Sequence, residues 1–358
     1  MHNKFLLVTT LLFGSFFASA QEKSDTAKDK DGNLVNKTTT VATANNVGVV
    51  QVKDSIFMLT GRGGNIGVCV GEDGIFMIDN QFAKASAQIL QRVRNISDKP
   101  IEILVNTHHH GDHVGGNSNI AELGTIIFSH ANARSRMEAS FAGPTDKVSH
   151  QQKVDSILSG YRDKLRTEED KKAAIAKAEQ VIINMAKAKV PAGALPIVSF
   201  SRDLNFNYNG EEIKVIHLSN AHTDGDAMVY FTKSNVLHTG DVFFNGVYPY
   251  IDTKSNGSLR GYVGGLQQIL RVANEDTKII PGHGRVASIA DIKYTLGMFK
   301  YLTAQVEYNV VAKKTEAEVM AMRNLTKEYD EKGYGDGFIT TEKFLKTLYN
   351  ETAKKYQK

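Results

Sequence analysis

The chain of 358 residues carries 43 Lys and Arg, 39 Asp and Glu, 11 His and one Cys. A net charge of +4 over this length is too small to favour nucleic acid or an anionic membrane surface as a partner. The single cysteine excludes an internal disulfide and a cysteine-based zinc cluster, so any metal must be bound by His, Asp or Glu. Cys69 itself alternates within a strand-like segment, which indicates a small buried apolar side chain.

Residues 1–20 have the pattern of a secretory signal peptide. Lys4 precedes a short apolar run, residues 5–17, and Ala18-Ser19-Ala20 is the small-x-small sequence that a signal peptidase cleaves. The run is shorter than the about 20 apolar residues that span a membrane, and no later segment approaches that length. We therefore expect an exported protein, periplasmic or secreted, with no membrane span.

The next segments alternate between strands and helices. Residues 21–46 are polar and poor in aromatic side chains, which predicts a flexible leader. Residues 47–79 contain four short strand patterns separated by Gly, residues 82–95 have a helical period, and residues 101–106 have the length of a buried strand. After residue 200 the pattern recurs, with strands at 204–208, 213–218, 228–232, 236–239 and 278–280 and a helix at 259–273. Two such halves indicate a layered α/β body.

Two further segments are predicted to be helical. Residues 131–196 form a helical insertion, in which the capping signature at Thr167 begins a helix that ends before Pro191. A structural cover is favoured over a lid for this insertion. A C-terminal helical extension covers residues 301–358, with Thr315 as an N-cap and Thr341 preceding the final helix. The main domain is thus placed at residues 47–300.

A histidine-rich motif, Thr107-His108-His109-His110-Gly111-Asp112-His113, directly follows the predicted strand at 101–106. Alternate side chains of an extended segment point to the same side, so His108 and His110 can share one metal. The turn at Gly111 directs the next two side chains toward a second metal. Three more candidate ligands each follow a strand-like run beside Gly or other small residues: His222, Asp241 and His283.

The order of these motifs, HxHxDH, a lone His, Gly-Asp and Gly-His-Gly, resembles the metallo-β-lactamase superfamily over about residues 47–300, with Asp79 as the first motif. The resemblance implies an αββα sandwich whose metals lie in a groove at one edge. It implies that His108, His110 and His222 bind one metal, that Asp112, His113 and His283 bind the other, and that Asp241 bridges them. Asp79 is expected to hold the histidine loop by hydrogen bonds.

Imidazole and carboxylate ligands without thiolate favour Zn²⁺, here two ions per chain, with iron or manganese as alternatives. Export also favours zinc, because it is redox-inert. Two metals about 3.5–4 Å apart can hold a bridging hydroxide and polarise a carbonyl oxygen. We therefore expect hydrolysis, with the hydroxide as nucleophile and Asp112 orienting it and moving its proton.

The substrate stays open among several classes. The resemblance implies hydrolysis of a cyclic amide or ester, β-lactams included. The best-known lactamase subclass has Cys where Asp241 stands and Lys three residues later, where this chain has Phe244, so Arg62, Lys254 and Arg260 are candidate substitutes for that Lys. The alternatives are hydrolysis of another ester, a lactone, a thioester or a phosphoester, a mono-iron persulfide oxidoreductase, and a metal-stabilised binding module without activity.

The remaining candidates are substrate contacts and further histidines. Asn65 lies on a Gly-rich turn that could rim the groove or be only a turn. In the loop after Asp241, three residues are candidate substrate contacts, with packing as the alternative for the tyrosines: Asn245, Tyr248 and Tyr250. The other histidines are expected not to bind metal: His109, His130, His150, His217 and His238. The sequence leaves the oligomeric state open.

Overall fold

The computed structural model describes residues 26–28, 34–36, 47–141, 154, 158, 167–187 and 190–356. The chain divides into two units, Met1–Val41 and Ala42–Lys358. In the first unit, strands β1 (Thr26–Lys28) and β2 (Leu34–Asn36) pair antiparallel. A flexible leader is predicted for residues 21–46, and these two strands are the part of it that the structure describes. The predicted signal peptide and the other leader residues lie outside the described part.

One mixed sheet contains seven strands in chain order. Its strands are β3 (Gly48–Lys53), β4 (Ile56–Thr60), β5 (Ile66–Gly71), β6 (Gly74–Ile78), β7 (Ile101–Asn106), β8 (Ile126–His130) and β9 (Val198–Phe200). Neighbours from β3 to β6 are antiparallel and those from β6 to β9 are parallel. The first five strands were predicted, whereas β8 and β9, which flank the insertion, were not.

The second sheet contains five strands, also in chain order. They are β10 (Leu204–Tyr208), β11 (Glu211–Leu218), β12 (Asp226–Phe231), β13 (Val236–His238) and β14 (Lys278–Ile280). Strands β10 to β13 are antiparallel, and β14 joins β13 in parallel after a helical crossover. All five strands lie where the alternation of apolar residues predicts them.

The α-helices are α1 (Ser86–Ile96), α2 (Gly111–Val114), α3 (Asn117–Ala121), α4 (Ala131–Phe141), α5 (Glu168–Lys187), α6 (Leu259–Val272), α7 (Ile289–Val311), α8 (Glu316–Met320), α9 (Lys327–Asp330) and α10 (Thr341–Ala353). Short 3₁₀ turns cover Ala83–Ala85, Gly240–Val242, Thr253–Ser255, Arg323–Leu325 and Tyr334–Asp336. Thr315 is the N-cap of α8, as predicted, and it also forms a reciprocal cap with Glu318. The N-cap of α10 is Thr340, one residue before the predicted Thr341.

The two sheets pack face to face, with helices on both outer faces. Between the sheets, Phe76 of β6 meets Phe231 of β12 edge to face, with ring centroids 5.9 Å apart, and Cys69 is buried in the same cluster. Burial raises the pKa of the Cys69 thiol to about 11, in accord with its predicted role as a small buried side chain. Helices α1 and α3 cover the outer face of the seven-stranded sheet, and α6 and α7 cover the other sheet. The expected αββα sandwich is therefore confirmed.

Helices α4 and α5 lie in the insertion, where helices are predicted, whereas residues 190–196 form turns and irregular structure. The first of these helices supports the body. Arg136 of α4 forms a two-pronged ion pair with Asp224, with Nε–Oδ1 and Nη2–Oδ2 distances of 2.6 and 2.7 Å. Asp224 lies two residues after the candidate ligand His222, so α4 braces the loop that carries this ligand. Residues 142–153, 155–157, 159–166 and 188–189 of the insertion lie outside the described residues.

The C-terminal helices are part of the core. Phe344, Leu345 and Leu348 of α10 are buried in one cluster with residues of α6 and α7. The predicted boundary after residue 300 is wrong, because it cuts through the middle of α7, whose apolar residues pack on both sides of that point. None of the helices among the described residues is long and apolar enough to cross a membrane.

Two separate leucine substitutions test whether α10 packs in the core. Leu345→Ala should lower the free energy of unfolding by about 2–5 kcal/mol, because it removes buried methyl groups and leaves a cavity. Leu123→Ala, the same change at a side chain that is 51% exposed, should change it by less than about 0.5 kcal/mol. Denaturant titrations of both variants measure the difference, and equal small effects would mean that α10 does not contribute to the core.

Candidate metal centre

The candidate ligands all follow strand ends at one edge of the sandwich. The histidine motif follows β7, His222 follows β11, Asp241 lies in the 3₁₀ turn after β13, and His283 follows β14. Ligands from both sheets thus meet where their strands end. Gly282 allows the close approach of the last loop, since a Cβ atom there would lie 2.1 Å from Asp241 Oδ1.

The predicted ligands form two groups in which the candidate ligand atoms lie within 4.8 Å of one another. The first group comprises His108, His110, His222 and Asp241, and the second comprises Asp112, His113 and His283. The structure therefore brings together the same two sets that the motif order implies.

Asp241 lies between the two groups. Its Oδ2 is 3.7 Å from His108 Nε2 and 3.5 Å from His222 Nε2. Its Oδ1 is 3.1 Å from His113 Nε2 and 3.5 Å from His283 Nε2. One carboxylate oxygen thus faces each group, which is the geometry expected of a ligand shared between two cations.

Hydrogen bonds fix which nitrogen of each buried histidine carries the proton. His222 Nδ1 lies 2.8 Å from the Tyr250 carbonyl oxygen, and His113 Nδ1 lies 2.7 Å from Asp79 Oδ2. Both partners only accept hydrogen bonds, so each Nδ1 must donate, and the lone pair is at Nε2. The same argument applies to His110, whose Nε2 lies 3.1 Å from Asp252 Oδ2 and whose lone pair is therefore at Nδ1.

The ring nitrogens available for metal binding lie close together. His110 Nδ1 and His222 Nε2 are 2.9 Å apart, and His113 Nε2 and His283 Nε2 are 3.4 Å apart. His108 Nε2 is buried and has no hydrogen-bond partner among the described residues. Buried nitrogen lone pairs that face one another and a carboxylate are stabilised by a cation between them, so these residues fit bound metal ions.

The electrostatics of the groups agree with this conclusion. Burial lowers the pKa of His108 well below its ordinary value, which keeps its ring neutral and able to bind a metal. Burial opposes ionisation of Asp241, but the facing histidines hold the pKa of this carboxyl well below its ordinary value. In the second group, burial opposes protonation of His113 and His283, but Asp241 and their other carboxylate partners raise the pKa of His113 well above its ordinary value and that of His283 to about 9. A metal ion bound by this group would therefore displace protons from these rings.

Asp79 holds the histidine loop, as expected from its position before that loop. Its Oδ1 accepts from the Thr107 backbone N–H at 2.8 Å, and its Oδ2 accepts from the Thr107 hydroxyl at 2.7 Å and from His113 Nδ1. The Thr107 hydroxyl also lies 3.0 Å from His108 Nδ1. One buried carboxylate thus orients a ligand of each group, directly for His113 and through Thr107 for His108.

Sequence reasoning missed Asp252 as a supporting residue. Its carboxylate orients His110 and also caps the 3₁₀ turn Thr253–Ser255. Burial opposes ionisation of Asp252, but its bond to His110 and its bonds to Ser255 lower its pKa. A signal was present, since Asp at a turn in the loop after Asp241 is a typical cap, but only the fold shows that it reaches His110.

Asn65 is a structural tie and not a substrate contact. It is buried, and its Nδ2 donates to the carbonyl oxygens of Pro281 and Gly284 at 2.9 and 2.8 Å. Its backbone N–H donates to the Gly282 carbonyl oxygen at 2.7 Å. These three bonds hold the loop that carries His283, so the candidate role at the groove rim is wrong and the residue acts behind the ligand.

The three candidates in the loop after Asp241 have different environments. Tyr248 is buried and stacks on Phe344, and its hydroxyl donates to Asp330 Oδ1 at 3.0 Å, so this side chain packs in the core while it also forms part of the groove lining. Asn245 Nδ2 donates to the Arg285 carbonyl oxygen, which ties two loops together, and Asn245 is not among the residues that line the groove. Tyr250 is half-buried beside His110, at 5.9 Å between ring centroids, and lines the groove.

The groove over the metal ligands has a volume of about 650 Å³. Besides the ligands, its lining includes Arg62, Phe82, Phe244, Val247, Tyr250 and residues 337–339. Of the three candidate substitutes for the missing lysine, Arg62 lines this groove, whereas Arg260 lines a separate cleft of about 740 Å³ that contains none of the ligands. Lys254 lines neither of these cavities.

The histidines expected not to bind metal lie outside the two ligand groups. His130 and His217 stack in parallel at 3.8 Å, and His238 Nε2 lies 3.1 Å from the Asn65 carbonyl oxygen. His109 faces Ser255, with Nε2 3.3 Å from Oγ, although it also lies near His110 and Asp252. His150 lies outside the described residues.

Comparison with known proteins agrees with this site. The family model of the metallo-beta-lactamase superfamily matches residues 59–283, so the chain belongs to this superfamily, whose members are mostly metal-dependent hydrolases. No curated protein sequence matches the chain.

Several solved structures share the fold. A metallo-beta-lactamase from Pontibacter korlensis matches with a TM-score of 0.50 and 14% identity, covering 71% of this chain and 99% of that one. The DIM-1 metallo-beta-lactamase gives 0.50 and 16%, with 71% and 97% covered. A stereoselective inverting sec-alkylsulfatase from a Pseudomonas species gives 0.61 and 16%, and the match covers 92% of this chain and 57% of that one. At these identities the likeness establishes the fold alone.

The role of Asp79 can be tested by metal retention. Asp79→Asn should weaken metal binding about 10-fold to 100-fold, because an amide cannot accept from all three donors that the carboxylate serves. The measurement is competition with a chelator, followed by metal analysis of the protein. Asp98→Asn, at an exposed carboxylate, is the control and should retain its metal like the unchanged protein. Equal metal retention in both variants would mean that Asp79 does not support the metal site.

Proposed function

We propose that the protein is an exported, zinc-dependent hydrolase that binds two metal ions and cleaves a cyclic amide or ester, β-lactams included. The observation that carries the proposal is the position of Asp241, whose two carboxylate oxygens face two separate sets of histidine nitrogens. A single metal would leave one of these sets without a cation. A hydrolase of cyclic amides or esters acts on small molecules, so we propose a small-molecule substrate as its partner.

The two sets define which residues would hold the metals. His108, His110 and His222 would hold one ion, Asp112, His113 and His283 the other, and Asp241 both. When bound, the metals supply Lewis acidity, which activates water and polarises the carbonyl or ester oxygen of the substrate. Nitrogen and oxygen donors without thiolate suit zinc.

Asp112 is the residue placed to move a proton. Its side chain is 28% exposed and lines the groove, with Oδ2 3.4 Å from His283 Nε2. Burial opposes ionisation of Asp112, but contacts with His283 and His113 hold its pKa below the ordinary value. An ionised carboxylate at the floor of the groove can orient the attacking water, accept its proton and deliver that proton to the leaving nitrogen or oxygen.

Aromatic side chains shield this centre from bulk water. Phe244 stacks on the His283 ring at 5.1 Å with an interplanar angle of 9°, and Tyr250 lies beside His110 and His222. Partial exclusion of water strengthens the electrostatic interactions between the ligands and a polarised substrate.

Export rests on the signal-peptide pattern of residues 1–20. We expect the full chain, expressed in a bacterium, to be recovered outside the cytoplasm with Gln21 as its first residue. Mass spectrometry of the fractionated protein checks this, and a cytoplasmic product that retains residues 1–20 would contradict it.

Turnover is tested with the metal-loaded mature chain. The panel contains a penicillin, a cephalosporin, a carbapenem, a lactone, a phosphodiester and, because of the Pseudomonas structure, a secondary alkyl sulfate. We expect chelator-sensitive hydrolysis of a lactam or lactone and about two zinc ions per chain. Chelator-sensitive hydrolysis of only the phosphodiester or the sulfate would support a metal-dependent hydrolase but would contradict the proposed amide or ester substrate. A single iron with the second set empty would favour the persulfide oxidoreductase.

Asp112→Asn should lower kcat by about 10²-fold to 10⁴-fold, since the amide cannot take up the proton. Asp98→Asn again provides the control at an exposed position. Circular dichroism and metal analysis of both variants show whether any loss comes from unfolding or from an empty site. Unchanged turnover of every substrate in Asp112→Asn would favour a binding module over an enzyme.

A further inference from the structure

Part of the wall of the metal groove comes from the C-terminal region. Residues 337–339, between the 3₁₀ turn Tyr334–Asp336 and α10, line the cavity together with Val247 and Tyr250. The side chain of Phe338 is 79% exposed, although it is large and apolar. Exposure of such a side chain at the mouth of a cavity is typical of a ligand-binding surface.

Phe338 is held in place by its neighbours. Gly337 packs against Val247, since a Cβ atom at position 337 would lie 3.2 Å from Val247 Cγ1. Ile339 is buried in the core, and Thr340 caps α10 directly afterwards. The Phe338 ring itself meets the Tyr250 ring edge to face at 6.1 Å. A ligand that contacts this ring therefore meets a surface whose backbone is already ordered, which lowers the entropic cost of binding.

The lining of the same groove also includes a second exposed apolar side chain and one cation. Phe82 is 42% exposed and lines the same cavity. Arg62 is the single Lys or Arg among the described lining residues, and it lies on the loop whose Gly64 N–H donates to the Asp112 carbonyl oxygen. Lys343, whose Nζ lies 5.4 Å from the Phe338 ring centroid, is outside the lining.

We propose that the substrate is a monoanion with a long apolar arm, an extension that rests on the hydrolase function proposed above. The anionic group pairs with Arg62, and the alkyl or aryl arm packs against Phe338, Tyr250 and Phe82. The C-terminal segment thus selects substrates by the length of their apolar arm.

Binding can be measured without turnover. The chain contains no Trp, so Phe338→Trp places a single tryptophan fluorophore at the proposed contact. Titration of this metal-loaded variant with octanoate should shift the emission and saturate, at an affinity at least about tenfold higher than for butyrate, since each buried methylene contributes a factor of about three to four. Octylammonium should bind far more weakly than octanoate. Equal affinities for octanoate and butyrate, or for octanoate and octylammonium, would overturn the proposal.

A second titration isolates the cation. Arg62→Gln, combined with Phe338→Trp, should weaken octanoate binding about tenfold, because the anionic group loses its charged partner. Arg94→Gln in the same background is the control, since Arg94 is exposed on α1 and does not line the groove. Unchanged affinity in the Arg62 variant would overturn the assignment of the anion to this residue.

Kinetics then separate this proposal from the hydrolase function itself. For anionic substrates hydrolysed by the enzyme, Phe338→Ala should raise the ratio of KM for a long arm to KM for a short arm about tenfold, with the effect in KM and not in kcat. Tyr308→Ala, at a side chain that is 72% exposed outside the groove, should leave this ratio unchanged. Turnover that does not depend on the length of the arm would overturn the proposed apolar contact and would leave the hydrolase function supported. Octanoate binding without turnover of any substrate would support the proposed site for an apolar anion and would contradict the proposed hydrolase function.

Discussion

The contact of one buried carboxylate with two sets of imidazole nitrogens is the interaction on which the rest of the structure depends. Asp241 is 5% exposed, and each of its oxygens lies within 3.7 Å of ring nitrogens from a different group. An ionised carboxylate in such a position is costly unless positive charge compensates it. Because the pKa values of His113 and His283 are raised, protons on these rings supply that charge, and a metal ion held by the two groups would supply it in their place. Either arrangement needs a frame that prevents the ligands from moving apart.

That frame is a set of hydrogen bonds behind the ligands. Asp79 holds His113 and, through Thr107, His108, while Asp252 holds His110. Asn65 plays the same part for the loop of His283, although its side chain donates only to backbone carbonyl oxygens. Each of these supporting residues fixes the orientation of a histidine ring or the position of a loop. None of them belongs to either of the two groups of candidate metal ligands. The supporting residues come from distant parts of the chain, so the sandwich must form before the ligand geometry is complete.

The two segments that enlarge the basic fold also serve the centre. In the insertion, Arg136 binds Asp224 beside the His222 loop. In the C-terminal region, Asp330 accepts from Tyr248 in the loop after Asp241, and Phe338 continues the same contact surface onto the groove wall. The C-terminal helices therefore cannot be separated from the catalytic body, because the same residues complete its core and its cavity.

Most of the strands and the types and order of the candidate ligands could be predicted from the sequence, because alternation of apolar residues and the spacing of the His motif are local properties. Asp79 followed from the family resemblance. The folded structure was needed to show that Tyr248 is buried, that Asn65 ties a loop, that Asp252 supports His110 and that Phe338 reaches the groove. The same holds for the short strands β8 and β9 and for the continuity of α7 across residue 300. Each of these outcomes depends on contacts between residues far apart in the chain, and a local pattern carries no information about which distant surface will cover it.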